Sequence, residues 1–338
     1  MDPVTHLAFG AALGHGCFHK HLGFRAAVFG ALAAAAPDID VVWMGAGDEF
    51  DALVLHRGIT HSVPFEAVVG PLLGWVVCRW NNGEHLWKWI ATITLALWSH
   101  AFLDWVTPYG TQLLQPFSDR RFASSTMPII DPLYTLLLCI GLGIAWRLRA
   151  KTWAGFVSLA ALALSLAYIG YAAHLNSNAE RFAARQLAAD GVTTAAVAAY
   201  PTVLQIYLRR VVARTPTEDH VGFVNMWAPC RIRWGIAARE HSAPIDAVMA
   251  TREGRLFRWF AMGQVVATAF PIREGWNIRV ADLRYGIDTD PTDSIFAFDA
   301  PVHVDGTRIA KPRMLDQVPG AARERITSAW DNVGCASS

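Results

Sequence analysis

The chain has 338 residues, 53% of them hydrophobic and 17% charged, with a formal net charge of +1. Ordinary soluble proteins carry about 25% charged residues, so this composition leans toward a membrane. The near-neutral balance, with no run of Lys and Arg, excludes a nucleic-acid partner, and five cysteines without a CxxC pair (Cys17, Cys78, Cys139, Cys230, Cys335) exclude thiolate metal or redox chemistry. In chain order, Met1 to Thr5 lacks the basic region that opens a cleavable signal peptide and carries Asp2, so it reads as part of the mature protein. Two short apolar segments follow, Leu7 to Phe18 and Ala26 to Pro37, each able to span, re-enter or pack as an interfacial helix. Four longer runs read as transmembrane helices: "VPFEAVVGPLLGWVVC" from Val63, "WIATITLALWSHAFL" from Trp89, "PLYTLLLCIGLGIAW" from Pro132 and "TWAGFVSLAALALSLAYIGYAA" over 152–173. The last has about the 20 residues that cross a hydrocarbon core, with Trp153, Tyr168 and Tyr171 near its ends as interface anchors.

From about Asn176 the pattern changes. "SNAERFAARQLAADG" predicts an alanine-rich helix ended by Gly191. Alternating runs such as "TVLQIYLRRVV", "HVGFVNMW", "RIRWGIA", "WNIRVADLRYG" and "SIFAFDAPVHV" predict strands, and a helix near Gly320 to Val333 closes the chain. The expected fold is an α-helical membrane bundle of about six apolar helices (1–175) followed by a small soluble α+β domain with an antiparallel sheet (176–338).

If all six segments span, Lys20, Arg25, Arg79, Lys88, Arg147, Arg149 and Lys151 fall in loops on one side. Loops 37–62 and 104–127 carry only Arg57, Arg120 and Arg121. By the positive-inside rule these two loops, both termini and the second domain face outward.

That outward end gathers the ionisable residues: Asp2 and His6, Asp38 and Asp40 in "PDID", His56, Arg57 and His61 in "HRGITH", His100 and Asp104 in "HAFLD", then Arg120, Arg121 and Asp131. Charge near a bilayer is expensive and is usually there for function. His100 and Asp104, four apart, share one helical face. The two Asp of PDID point to one side of an extended turn, and Gly58 lets its loop fold so that both flanking imidazoles face inward. Imidazole with carboxylate suits zinc, manganese or iron, and a carboxylate bridges two ions. Each motif also has a plain structural reading: PDID as a helix stop, HxxxD as a buried hydrogen-bonded pair, Arg120 and Arg121 as lipid-headgroup contacts. Their coincidence at one face favours a metal centre of two ions. His15, His19, His21, His85, His174, His220, His241 and His303 read as structural.

"HRGITHS", "PDID", "HAFLDWVTPYGTQLLQPFSDRR" and "IIDPLY" resemble the bacterial inner-membrane-bound, metal-dependent hydrolase family over about the first 175 residues. That family is distantly similar to zinc-dependent phospholipase C and the single-strand-specific zinc nucleases. The resemblance implies His6, Asp38, His61, His100 and Asp104 as direct ligands, with His56 and Asp40 close by. The soluble enzymes hold a third zinc through later histidines; here none occurs between His100 and His174, so two ions, zinc or alternatively manganese, are expected.

Two such ions would activate a water and clamp an in-line displacement at phosphorus. Arg57, Arg120 and Arg121 would grip phosphate oxygens, and Asp131 would orient an arginine or a ligand histidine. A site at membrane depth selects a membrane lipid or polyprenyl phosphoester as substrate. Two other classes stay open: a metal-ion transporter, which needs ligands along a path to both sides, and a membrane anchor with a structural metal site and a partner-binding outer domain.

Overall fold

The computed structural model describes residues 1–44 and 47–315. Contacts divide the chain into two units: one comprises 1–46, 55–173 and 203–205, the other 47–54, 174–202 and 206–338. The chain therefore leaves the first unit between PDID and HRGITH, contributes residues 47–54 to the second, and returns.

In the first unit, α1 (Pro3–Leu22) and α2 (Arg25–Ala35) run into a 3-10 turn (Ala36–Asp40) and the short α3 (Val41–Met44). After α4 (Glu49–Leu55) come a second 3-10 turn (Ile59–His61), α5 (Val63–Trp80), α6 (Leu86–Trp105), α7 (Pro132–Arg147) and the start of α8 (Ala154–Ala189). Small residues set the closest approach: a Cβ on Gly10 of α1 would collide with the Gly30 carbonyl of α2. Without side chains there, the two backbones pack directly, as small residues allow in membrane bundles. Leu22, Ala26, Ala33, Ala34, Val77, Trp89, Ile93, Ala96 and Leu97 fill the core among α1, α2, α5 and α6.

Among the described residues, three helical segments are long and apolar enough to cross a membrane: Arg25–Trp43, Val63–Trp80 and Ala154–Ala189. Pro132–Arg147 is a shorter apolar helix. The 20-residue α1 and α6 fall outside that set because their polar side chains, among them His6, His15, Thr92, Ser99, His100 and Asp104, are turned into the bundle. Hydropathy averaged along a helix misses that segregation. The alanine-rich helix expected after Asn176 is no separate element. It is continuous with the preceding apolar helix in the 36-residue α8, because nothing between Ala173 and Asn176 breaks the helical pattern; Gly191, at φ 76°, follows its end.

The described residues of the second unit form two four-stranded antiparallel sheets where one sheet was expected. β1 (Ala196–Pro201), β2 (Leu208–Arg214), β3 (Glu218–Asn225) and β4 (Gly235–Ala238) form one meander. Two helices, α9 (Ala243–Met249) and α10 (Arg252–Phe260), precede the second, β5 (Val265–Ile272), β6 (Gly275–Asp282), β7 (Ala297–Val302) and β8 (Arg313–Met314). Tyr200, Val212 and Val221 of the first sheet pack with Val266, Ala281 and Ala297 of the second, the apolar faces meeting as in a sandwich. Ala179 and Ala183 of α8 pack on Ala199, Val211 and Val224, so alanine here buys close helix-on-sheet contact. Phe50 of α4 is buried in this unit, its ring 5.4 Å from that of Phe298. The helix expected near Gly320 to Val333 lies outside the described residues.

Candidate metal centre

Each ligand-type side chain sits where local sequence places it. Pro3 lies in the first turn of α1, and the Asp2 carboxylate caps the helix, accepting from the Thr5 amide at 3.0 Å; His6 follows one turn on. Pro37 opens the 3-10 turn that carries Asp38 and Asp40, so PDID is helical rather than extended. In HRGITH the left-handed residue is Arg57 (φ 59°), while Gly58 has φ −87°. The turn therefore depends on an arginine in a conformation that non-glycine residues seldom adopt, and such positions concentrate at functional sites. Ser62 caps α5, accepting from the Phe65 amide at 3.3 Å, which fixes His61 just before the helix. His100 and Asp104 lie on one face of the last turns of α6.

These segments converge. His61 Nε2 and His100 Nε2 each lie 3.5 Å from both Asp38 Oδ1 and Asp104 Oδ2. The His6 ring stacks on that of His100 with centroids 3.7 Å apart, and its Nε2 is 3.3 Å from Asp104 Oδ1. Among the described residues two groups with metal-ligand potential result, His6 with His100 and Asp104, and Asp38 with His61 and His100; within each, the donor atoms lie within 4.8 Å of one another. Asp104 meets the cluster with both oxygens, Oδ1 toward His6 and Oδ2 toward His61 and His100. The Met1 amine also pairs with Asp104, a contact the sequence reading did not anticipate.

Asp40 and His56 occupy a different layer from the one their grouping with the ligands suggested. Asp40 accepts from the Arg57 amide at 2.9 Å and sits 3.1 Å from His56 Nδ1 and 3.5 Å from His61 Nδ1. They hold His61 from behind. Such partners fix a ligand imidazole's tautomer and direction. The carbonyl of Ala34, 2.6 Å from His100 Nδ1, does the same for His100.

Burial sharpens the chemistry. His6, His61 and His100 have no exposed surface and Asp104 only 1%. Desolvation pushes the His61 imidazole down to about 4, so it is neutral and able to donate a lone pair at physiological pH. His6 Nε2, His61 Nε2, His100 Nε2 and Asp104 Oδ2 are buried without a hydrogen-bond partner. Each such atom costs about 1–3 kcal/mol, and folded proteins leave few of them. A divalent cation is the partner that imidazole nitrogens and carboxylate oxygens in this arrangement accept, so the donor set fits one.

The arginines divide. Arg57 is buried, its Nε 3.0 Å from Asp104 Oδ2, with a hydrogen bond to Thr107 at 2.9 Å and its guanidinium 4.7 Å from the Tyr109 ring centroid. Arg121 is buried and donates to the Tyr109 and Gly110 carbonyls, at 3.3 and 2.7 Å. Arg120 is exposed, over the Phe122 ring, and the structure does not bring it to the cluster. Asp131 differs from the expected role of orienting an arginine or a ligand histidine. It caps α7, accepting from the Tyr134 amide at 3.0 Å and the Tyr168 hydroxyl at 2.9 Å; a β-region residue before Pro132 makes a natural helix cap. Tyr168 is thereby a helix-to-helix tie as well as an apolar residue. Glu66, in the first turn of α5, is 1% exposed with neither carboxylate oxygen partnered; as a single acid in an apolar run it had no spacing signal to give it a role.

A cluster of buried imidazoles and carboxylates at the ends of apolar helices defines an integral membrane protein with a candidate metal centre. Residues 1–176 match the family model described as YdjM inner membrane protein. The chain belongs to that family, which places it in the bacterial inner membrane. It is 35% identical over 121 residues to inner membrane protein YbcI of Escherichia coli (strain K12), a match covering 35% of this chain and 69% of YbcI. To YfhP of Bacillus subtilis (strain 168) it is 33% identical over 142 residues, covering 39% of this chain and 42% of that protein. No solved structure matches the chain.

Proposed function

We propose that the protein is a membrane-bound metal-dependent hydrolase that cleaves a phosphoester of a membrane lipid or polyprenyl phosphate on the outward side of the inner membrane. The observation that carries this reading is the set of buried ring nitrogens without a hydrogen bond on His6, His61 and His100, gathered around Asp38 and Asp104. Bound divalent ions supply the positive charge that makes water a nucleophile at neutral pH and neutralises phosphoryl oxygens.

The chain's own residues do the rest. Asp38 and Asp104 hold charge opposite the imidazoles, and Asp40 with His56 keeps His61 turned inward. Arg57, already poised beside Asp104, offers guanidinium N–H groups in the fork that matches phosphate. Exposed apolar side chains stand next to the ligands in sequence: Ile39 between the two aspartates, Ile59 within HRGITH, Trp105 after Asp104. An apolar surface beside the polar cluster suits a substrate whose acyl or prenyl chain stays in the bilayer while its headgroup reaches the charges.

The test is release of phosphate or headgroup from a panel of phospholipids and polyprenyl phosphates by the purified chain, with and without chelator. Chelator-sensitive release supports the proposal. Metal binding without release from any lipid, together with metal flux in proteoliposomes, would replace it with the transporter reading.

A further inference from the structure

A second pair of imidazoles lies toward the other end of α1. His15 and His19 are one turn apart on the same helix, the i, i+4 spacing that lets two histidines chelate one ion. Their ring centroids are 4.4 Å apart. His6 and His15 are nine positions apart, about 13–14 Å along the helix, so the pair is separate from the cluster described above.

Hydrogen bonding fixes which nitrogens are available. His19 Nε2 lies 3.2 Å from the Lys151 carbonyl oxygen. A carbonyl only accepts, so Nε2 carries the proton and Nδ1 is left with a bare lone pair. His15 Nδ1 lies 2.9 Å from Ser158 Oγ. A proton on His15 Nε2 would find His19 Nδ1 as its natural acceptor, yet His15 Nε2 and His19 Nδ1 are both buried without a hydrogen bond. Ser158 Oγ can accept from His15 Nδ1, and in that tautomer Nε2 also presents a lone pair. His15 and Ser158 have no exposed surface. Gly155 admits α8 to this face: a Cβ there would stand 3.3 Å from both the His15 carbonyl oxygen and His19 Cβ.

We propose that His15 and His19 form a second metal site, taking one borderline divalent ion such as Cu2+, Zn2+ or Ni2+ through His15 Nε2 and His19 Nδ1. Two imidazoles, with no carboxylate paired to either among the described residues, select this class over Ca2+ or Mg2+, which require oxygen ligands. Ser158 and the Lys151 carbonyl are the outer partners that orient the two rings. With two protein ligands the site is an exchangeable one. The proposal does not rest on the hydrolase reading.

The experiment titrates the purified full-length chain with Cu2+ and follows it by electron paramagnetic resonance. In a His61→Ala/His100→Ala background, one Cu2+ per chain with nitrogen hyperfine structure is expected, and adding His15→Gln and His19→Gln abolishes it. Ser158→Ala should weaken binding about tenfold while leaving the hyperfine pattern. In the otherwise native chain, His15→Gln/His19→Gln should lower bound metal by one ion per chain with the remainder retained, a comparison that holds even if the background variant folds poorly. Unchanged copper content and spectrum on removing His15 and His19, or loss that instead follows His21→Gln/His85→Gln, would overturn the assignment.

Discussion

His100 Nδ1 lies 2.6 Å from the carbonyl oxygen of Ala34. Because the carbonyl can only accept, the ring proton is held on Nδ1, and Nε2 is presented as a lone pair toward Asp38 and Asp104. A backbone group of α2 thus sets the tautomer of a side chain on α6. Removing a direct donor and removing an orienting group should therefore differ in size. His100→Ala or His61→Ala is expected to remove the zinc or manganese held by the His6–Asp38–His61–His100–Asp104 cluster, leaving at most the ion of the His15–His19 pair, whereas His56→Ala, which only loosens the support behind His61, should weaken the cluster's metal affinity about tenfold. Elemental analysis and competition with a chromophoric chelator measure both.

Arg57 presents a different kind of contribution. Its charge sits beside Asp104, and its planar fork is what lysine lacks. Arg57→Lys should retain metal while lowering turnover of a phosphoester substrate on the order of a hundredfold, the loss that follows removal of one directed donor to a developing charge. Loss of metal in this variant would instead make Arg57 a support for Asp104.

Glu66 buries a carboxyl that has no hydrogen-bond partner. An unpaired buried charge is costly, so the neutral isostere Glu66→Gln should unfold at the same or a higher temperature than the parent chain in the same detergent. A drop equivalent to more than about 2 kcal/mol would mean that Glu66 is ionised and holds a cation.

The histidines give the metal-free chain a pH dependence with a definite sign. The His61 imidazole is lowered from 6.5 to about 4 by burial, so the unfolded chain binds its proton first. Stability is fully present above about pH 6.5 and falls as pH drops from there toward 4. Chemical denaturation of chelator-treated protein across that interval should show the decline, and saturating zinc should move its onset to lower pH because only neutral imidazole coordinates. Constant stability from pH 7 to 4 would contradict the burial assigned to His61.

Spacing marked the three motifs, while His6 and the division into ligands came from the family resemblance. HRGITH, PDID and HAFLD each place polar side chains where a membrane segment makes them expensive, and the fold brings the five implied ligands together. What spacing could not supply was depth of layer: Asp40 and Asp38 are two residues apart, yet one faces His61 Nδ1 and the other its Nε2. The same holds for the arginines, since Arg120 and Arg121 are neighbours with opposite exposure. In the fold, apolar runs marked α5, α7 and α8, but β1, "AVAAYP", has the alanines of a helix and becomes a strand through its pairing with β2. The fusion of two expected helices into α8 was hidden because a change from apolar to polar composition looks like a boundary, while backbone propensity stays helical throughout.

Residues 47–54 leave PDID and return at HRGITH by way of the second unit, where Phe50 is buried to 1% and its ring meets Phe298. Truncating the chain after α8 would strip that aromatic contact and leave Phe50 and Leu53 wetted in the middle of a tether between two metal-supporting stretches. Residues 47–54 therefore belong to the core of the carboxy-terminal unit although they lie between Asp40 and His56 in the chain, and a shortened chain would lack the aromatic wall that shelters Phe50.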